Sequence, residues 1–332
     1  MKILLVHPVL LPPRDYGGIE RVVLWLAKGL AETGHQVCVA AAPGSQLPPG
    51  CELLEVGSGY TLMDWLRILP SGLDVMHFMA PVSSEIWAGL PVPALLTVHG
   101  NGQLGEAFPK NSVFLSQNHA QRHGATVFVY NGIDPSEYLF QPDKKSDWNL
   151  FLSKTSWSVK NLRGAIRYSQ LAGQSLKIAG GNRPYLSRLR CLFSSGLDWV
   201  GPVAGKQKAQ LLAQARALLF PVRWPEPFGL VIAEALVSGT PVIGNPQGSL
   251  LEMIPSTVGV LPADDQQWVD LLRQASTPLR PPEVCRAWAL EKFHYLKMAE
   301  NYVAIYQRVL QGKFLHEVSP VTQQTLENES WR

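Results

Sequence analysis

The stretch from Ala217 to Gly244 constrains this chain more than any other, because it spells out a strand, a stiff loop, a helix and a second strand. Ala217 to Pro221 and Pro241 to Gly244 are apolar runs of strand length, and Leu-Val-Ile-Ala-Glu-Ala-Leu-Val between them reads as a helix. Strands joined this way pair in parallel, and a parallel sheet needs helices on both faces, so the chain is an α/β protein. Pro225 and Pro227 fix the backbone on either side of Glu226 and keep it out of the helix. Its carboxylate is therefore displayed from a rigid loop. Just beyond it, the first-turn amides expected at Phe228, Gly229 and Leu230 lack intrahelical partners and carry the positive end of the helix dipole, a place for anions and hydroxyl groups.

Glu234 lies in that helix with apolar neighbours on nearly every face. A carboxylate there is expected to be partly buried, and must either meet a polar group of the protein or accept hydrogen bonds from a ligand. Two glutamates at this spacing are ordinarily two solvated carboxylates. The flanking prolines at the first and the apolar cage around the second argue against that reading here.

The 332 residues, 46% hydrophobic and 17% charged, are enough for two domains with sizeable cores. A formal charge of +3 is too small to argue for nucleic acid, though it is compatible with touching an anionic membrane surface. Cys38, Cys51, Cys191 and Cys285 have no metal-ligand spacing, which suits a reducing cytosol. Met1 to Leu11 is apolar but contains His7 and Pro8 and runs into Pro12-Pro13-Arg14-Asp15, so it reads as a buried first strand and not as a signal peptide. No apolar run is long enough to span a bilayer.

Lys2 to His7 is the first strand, Ile19, Val22, Val23, Leu26, Ala27 and Leu30 recur at helical spacing, and Gln36 to Ala42 is the second strand. Gly17 and Gly18 before the helix would let a phosphate approach the backbone, or else serve a loop that needs a positive φ. The dinucleotide fingerprint is absent here and Gly205-Lys206-Gln207 is no P-loop, which weakens dehydrogenase and NTPase readings. Asp74 to Phe78, Ala94 to His99, Val113 to Ser116 and Thr126 to Tyr130 continue the strand series. His99 ends its strand at the carboxyl edge where α/β sheets place ligands, while His77 reads as structural. Tyr130-Asn-Gly-Ile-Asp134 reads first as a tight Asn131-Gly132 turn.

Phe140 to Trp148 is polar and charged and serves as the linker. Asn149 to Ser153 is the next strand, and Lys154 and Lys160 flank the loop that leads into a helix to about Ala172. Two cations there can clamp a diphosphate without a metal, although loop lysines are more often simply solvated. Leu176 to Gly181 and Leu197 to Gly201 are strands, and Lys206 to Ala215 is a helix. Met298, Tyr302, Ile305 and Val309 mark a late helix, after which His316 to Arg332 is Ser/Thr/Gln/Glu-rich and expected to fray.

Glu-Pro-Phe-Gly-Leu from Glu226, a second glutamate eight positions on at Glu234, Gly239-Thr-Pro-Val242 and a glycine loop at Gly248 ending in Glu252 resemble the donor-binding signature of the retaining family 4 glycosyltransferases. Gly17-Gly18-Ile-Glu-Arg21, His99 and Tyr130 to Asp134 echo the same family. Its usual Arg, four residues, then Lys-Gly is altered here, since Lys154 stands for the arginine, one extra residue intervenes, and Asn161 replaces the glycine after Lys160. The resemblance implies a GT-B architecture, two Rossmann-like domains facing across a cleft: residues 1–140 on the acceptor side, 141–290 on the donor side, a helix over 291–315 crossing back to the first domain, and a disordered tail over 316–332.

It also implies transfer of a hexose-type sugar, with retention, from a UDP- or GDP-type nucleotide sugar to a sugar, lipid-linked or glycan acceptor, in the cytoplasm, with no metal, no other cofactor and at most weak peripheral membrane contact. Glu226 and His99 would meet the donor sugar and Glu234 the ribose, while Lys160, Lys154, the amides of Phe228, Gly229 and Leu230 and the Gly17-Gly18 turn would hold the diphosphate. A glutamate nucleophile, as in retaining glycosidases, needs two carboxylates close together. Eight mostly helical residues separate Glu226 and Glu234 by roughly 12 Å of rise, which disfavours it. A sugar-nucleotide 2-epimerase and a non-catalytic sugar-nucleotide-binding protein are the alternatives of other classes.

Overall fold

The computed structural model describes residues 1–13, 17–57, 59–181, 196–274 and 279–323. The chain divides into two units, one formed by Met1–Asp134 with the described residues from Phe293 onward, the other by Pro135–Lys292. Each is an α/β unit built on a six-stranded sheet in which every pairing is parallel.

In the first unit β1 (Lys2–Val6), β2 (Gln36–Ala41), β3 (Cys51–Glu55), β4 (Val75–Phe78), β5 (Ala94–Thr97) and β6 (Ser112–Val113) stand in the order β3-β2-β1-β4-β5-β6. In the second, β7 (Asn149–Leu152), β8 (Leu176–Ala179), β9 (Leu197–Gly201), β10 (Leu218–Phe220), β11 (Val242–Gly244) and β12 (Gly259–Val260) stand in the order β12-β11-β10-β7-β8-β9. Numbered within its own unit, the second sheet has the same order as the first. Both are doubly wound Rossmann-like sheets, and in such sheets ligands lie beyond the carboxyl ends of the strands where the winding reverses. That point falls between β1 and β4 in the first unit and between β7 and β10 in the second.

The cores follow from the apolar runs. Leu4, Val6, Met76, Phe78, Leu96 and Phe114 fill the first, and Phe151, Ile178, Leu219, Ile243 and Trp268 the second. Thr126 to Tyr130 forms only an isolated bridge, Phe114 with Phe128, not the full strand its β-branched and aromatic residues suggest. The Asn131-Gly132 turn is not a tight turn either. Gly132 has no positive φ, and a Cβ there would lie 2.6 Å from Tyr295 Cα and 2.9 Å from Met298 Cβ, so glycine is needed for close backbone approach to the helix Tyr295–Leu310.

That helix packs against Gly18–Glu32, where Gly29 faces Ala299, and His77 is structural, its ring bonded to Tyr306 Oη at 2.8 Å and Thr97 Oγ1 at 2.7 Å. The expected frayed tail is a docked strap as far as it is described. His316 Nε2 bonds Ser112 O at 2.8 Å, Val321 N donates to His123 O at 3.0 Å, and Thr322 is buried. The strap is held by its own backbone groups and the His316 ring, with Thr322 N donating to Glu106 O and Thr322 O accepting from Gly105 N, both at 2.9 Å, while the buried Thr322 Oγ1 has no hydrogen-bond partner among the described residues. Residues 324–332 lie outside the described set. Among the described residues no helix is long and apolar enough to cross a membrane.

Candidate active site

Two loops meet at the winding reversal of the second sheet. The loop after β7 carries Lys154, a short 3₁₀ turn over Ser158–Lys160, and Asn161, which caps the helix Leu162–Ala172. Asn161 sits in the left-handed region at φ 55°, which explains why glycine suits this position and why asparagine is the side chain that replaces it at least cost. Its Oδ1 accepts from Gly164 N at 3.0 Å and its Nδ2 donates to Pro221 O at 2.9 Å, so it ties this loop to the end of β10. Arg223 N donates to Val159 O at 2.8 Å and makes a second tie.

These ties bring Lys160 to Glu226. Lys160 Nζ lies 2.6 Å from Glu226 Oε2, with both residues buried, and Trp224 Nε1 donates to the same oxygen at 2.5 Å. The ammonium also rests over the rings of Phe220 and Trp224, at 5.3 and 4.9 Å from their centroids. Both donors are on Oε2, and among the described residues no hydrogen bond is made to Oε1. The backbone of Glu226 is held as firmly. Ser249 N donates to its carbonyl at 2.9 Å, and Gly248, at φ +59°, lies so close that a Cβ would collide with the Glu226 amide nitrogen and carbonyl oxygen. The glycine loop thus serves as a backstop for the glutamate.

The helix runs over the apolar stretch read as helical, but its first turn does not reach back to Phe228. Gly229 is its cap at φ 80°, left-handed, and the helix runs Leu230–Val237. Phe228 is core: the residue is 2% exposed and its carbonyl accepts from Ser249 Oγ at 2.8 Å, and the helix head, from Leu230, does not include it. Ile232 N already donates to Gly229 O at 2.8 Å.

Glu234 is 2% exposed and has found protein partners. Tyr138 Oη donates to its Oε1 at 2.8 Å and Lys208 Nζ lies 2.6 Å from the same atom. Each glutamate therefore has its own lysine. Lys154, in contrast, is exposed and rests over the Trp157 ring at 4.9 Å, and Trp157 meets Trp224 edge to face at 6.2 Å. Lys154, Trp157, Trp224 and Lys160 form a cationic and aromatic wall that leads to Glu226.

In the first unit, Gly17 caps the helix Gly18–Glu32 with extended backbone at φ −160° and no side-chain cap, so the positive φ considered for this turn is not used. Glycine is required for space, since a Cβ at Gly17 would lie 2.6 Å from Glu20 Oε2 and 2.6 Å from Pro13. Just past β1 and β5, both ring nitrogens of His7 and Nε2 of His99 are enclosed without a hydrogen-bond partner. Burial lowers the pKa of both rings, to about 3 for His99, whose ring also feels that of His7; Glu20 opposes the shift at His7. Both are neutral imidazoles near pH 7. Among the described residues no group of three or more His, Cys, Asp or Glu side chains is placed to hold a metal ion.

Residues 152–277, which hold Lys154, Lys160, Glu226 and Glu234, match the family described as Glycosyl transferases group 1. Over nearly its whole length the chain is similar to a solved glycosyltransferase of Avilamycin A biosynthesis, AviGT4, at 28% identity and a TM-score of 0.76, covering 94% of this chain and 98% of that one. The fold is that of the GT-B glycosyltransferases. Anabaena HepE, solved in complex with UDP and glucose, shares that fold at 15% identity and a TM-score of 0.65, covering 92% of this chain and 99% of that one. A Klebsiella pneumoniae protein, described as an uncharacterized 41.2 kDa protein in cps region, is 34% identical over 114 residues. That match spans 33% of this chain and 32% of the relative.

Sequence reasoning missed three partners in the site. Lys208 and Tyr138 reach Glu234 from 26 and 96 positions away, so no local spacing points to them. Trp224 stood in plain sight two positions before Glu226, but only the structure shows its indole N–H on the carboxylate.

Proposed function

We propose that the chain is a retaining glycosyltransferase that moves a hexose-type sugar from a UDP- or GDP-linked donor to an acceptor hydroxyl. The observation that carries this reading is Glu226, a buried carboxylate at the winding reversal of the second sheet with both of its donors on Oε2. Oε1 is left to accept from a sugar hydroxyl. Complexes with UDP, and with UDP and glucose, among the structural relatives support a nucleotide-sugar donor. The relative in a cps region supports a role in glycan or envelope polysaccharide synthesis.

In this reading the diphosphate lies between Lys160, Lys154 and the head of the Leu230–Val237 helix. Its growing negative charge during departure is met by fixed cations and amide dipoles, so no metal is required, and activity persists in excess chelator. Glu226 would meet the donor sugar. Glu234, held on Oε1 by Lys208 and Tyr138, would accept from the ribose. His99 would present a neutral ring to the donor sugar. The leaving phosphate assists attack on its own face, which accounts for retention without a carboxylate nucleophile. The enzyme would work at the cytoplasmic membrane face through weak, salt-sensitive contacts, which vesicle binding at two ionic strengths tests.

The deciding experiment is a thermal-shift screen against UDP- and GDP-sugars, followed by donor consumption with and without acceptor glycans. Acceptor-dependent release of nucleoside diphosphate is expected. Conversion of the donor alone into another nucleotide sugar would replace this reading with an epimerase, and saturable binding with no turnover on any acceptor would replace it with a binding protein.

A further inference from the structure

Two donors converge on one oxygen of Glu226, and they differ in what else they do in the proposed reaction. Lys160 is one of the cations that the diphosphate requires, and its ammonium sits 2.6 Å from Oε2 while no diphosphate is bound. Once the donor lands, the phosphate oxygens compete for that ammonium and the carboxylate loses part of its hold. Trp224 has no such second role. Its indole is a donor only, it cannot ionise, and it is planar, with the Lys160 ammonium over its ring at 4.9 Å and the Trp157 ring packed edge to face at 6.2 Å. Its Nε1 donates to Oε2 at 2.5 Å.

We propose that Trp224 is a positioning residue for the transfer: its indole N–H holds Oε2 of Glu226, so that Oε1 stays aimed at the donor sugar after Lys160 has shifted to the diphosphate. The inference rests on the transferase reading above and adds a division of labour to it. A carboxylate held by one charged donor alone would follow that charge as it moved. Holding the second bond through a neutral, rigid ring keeps the carboxylate oriented without adding a cation that would compete with Lys160 for the diphosphate. The same indole supplies the aromatic floor under the lysine, which is why a ring is needed there as well as a donor.

The test uses Trp224→Phe, which keeps the ring under Lys160 and removes the N–H, and Trp224→His, which restores a ring N–H. With a turned-over sugar nucleotide, Trp224→Phe is expected to lower kcat about tenfold with donor KM changed less than twofold and the melting temperature within a few degrees. Trp224→His should recover part of kcat. In the background of Glu226→Gln, Trp224→Phe should have almost no further effect, because both changes act through one carboxylate.

A Trp224→Phe loss that multiplies with that of Glu226→Gln, or a loss confined to KM, would overturn the proposal. A second measurement needs no turnover. The Trp224 Nε1–H resonance should lie downfield in the wild type and remain there on titration with UDP, and its return to the position of a solvated indole would overturn the proposal. Wild-type turnover that Trp224→Phe leaves unchanged refutes the positioning role alone. Absence of wild-type turnover on every nucleotide sugar refutes the transferase reading and the positioning role with it.

Discussion

Lys160 and Glu226 pair at 2.6 Å with side chains only 10% and 9% exposed. Removing one member of a pair this enclosed leaves the other charged in a poor medium, at a cost of about 3–5 kcal/mol. Lys154, exposed over Trp157, has no such debt. Lys160→Ala is therefore expected to lower the melting temperature and abolish measurable transfer, whereas Lys154→Ala should stay within about 0.5 kcal/mol of the wild type and raise donor KM several-fold. Denaturant unfolding and steady-state kinetics on the two variants check this. Equal stability losses would mean that the two lysines share one environment.

The two glutamates should fail in different ways. Glu226→Gln keeps the shape but weakens both bonds to Oε2, and if Oε1 meets the sugar most strongly in the transition state, turnover falls about a hundredfold or more with little change in donor affinity. Glu234→Gln strips the counter-charge from Lys208, so it should weaken binding of both nucleotide sugar and bare nucleoside diphosphate by about 1.5–3 kcal/mol, together with a stability loss of similar size. Calorimetry with the free nucleoside diphosphate separates the cases. Equal losses of nucleotide affinity in both variants would remove the assignment.

Acid should unfold the first unit through its buried histidines. His77 is fully enclosed between Tyr306 and Thr97, and burial lowers its pKa to about 3 from the ordinary 6.5. Between those two values the unfolded chain binds a proton that the folded chain does not, so stability falls as pH drops below about 6.5 and the loss continues down to about 3. One such group contributes a slope of about 1.4 kcal/mol per pH unit within that window. His77→Gln, which keeps hydrogen-bonding capacity without titrating there, should flatten the pH dependence of the melting temperature by one group's worth. An unchanged slope would show that His77 is charged in the folded protein.

How much of the molecule is legible in the sequence depends on distance along the chain. The apolar runs at Lys2 to His7 and Asn149 to Ser153 and the proline-flanked Glu226 are local signals, and they locate both sheets and the loop at the winding reversal. The burial of Glu234 is legible from its apolar neighbours, but Lys208 and Tyr138 are not, because they arrive from a different helix and from the start of the second unit. Phe228 misleads because helix periodicity does not reveal that Gly229 turns left-handed as the cap and leaves Phe228 outside the helix. The strap at His316 to Gln323 misleads in the opposite direction. Its composition is that of a free tail, yet bonds to the backbone of Gly105, Glu106, Phe108, Lys110, Ser112, Arg122 and His123 hold it in place.

The left-handed residue Asn161 yields the most discriminating stability test, because backbone and side chain make opposite demands on a replacement. At φ 55°, alanine is strained by about 1 kcal/mol, and glycine is not. Both lose the side-chain bonds to Gly164 N and Pro221 O, of which the cap alone is worth about 1 kcal/mol. Asn161→Gly should therefore cost about 1 kcal/mol and Asn161→Ala about 2 kcal/mol or more, the reverse of the order in an ordinary helix interior, where glycine is the worse of the two. The effect should reach the site as well. Pro221 leads directly to Trp224 and Glu226, so loosening its carbonyl frees the loop that sets the Lys160–Glu226 distance, and Asn161→Ala should lower turnover more than its stability loss explains. Chemical denaturation of both variants, followed by rates measured well below their melting temperatures, decides it: alanine more stable than glycine would mean that Asn161 does not hold the left-handed turn.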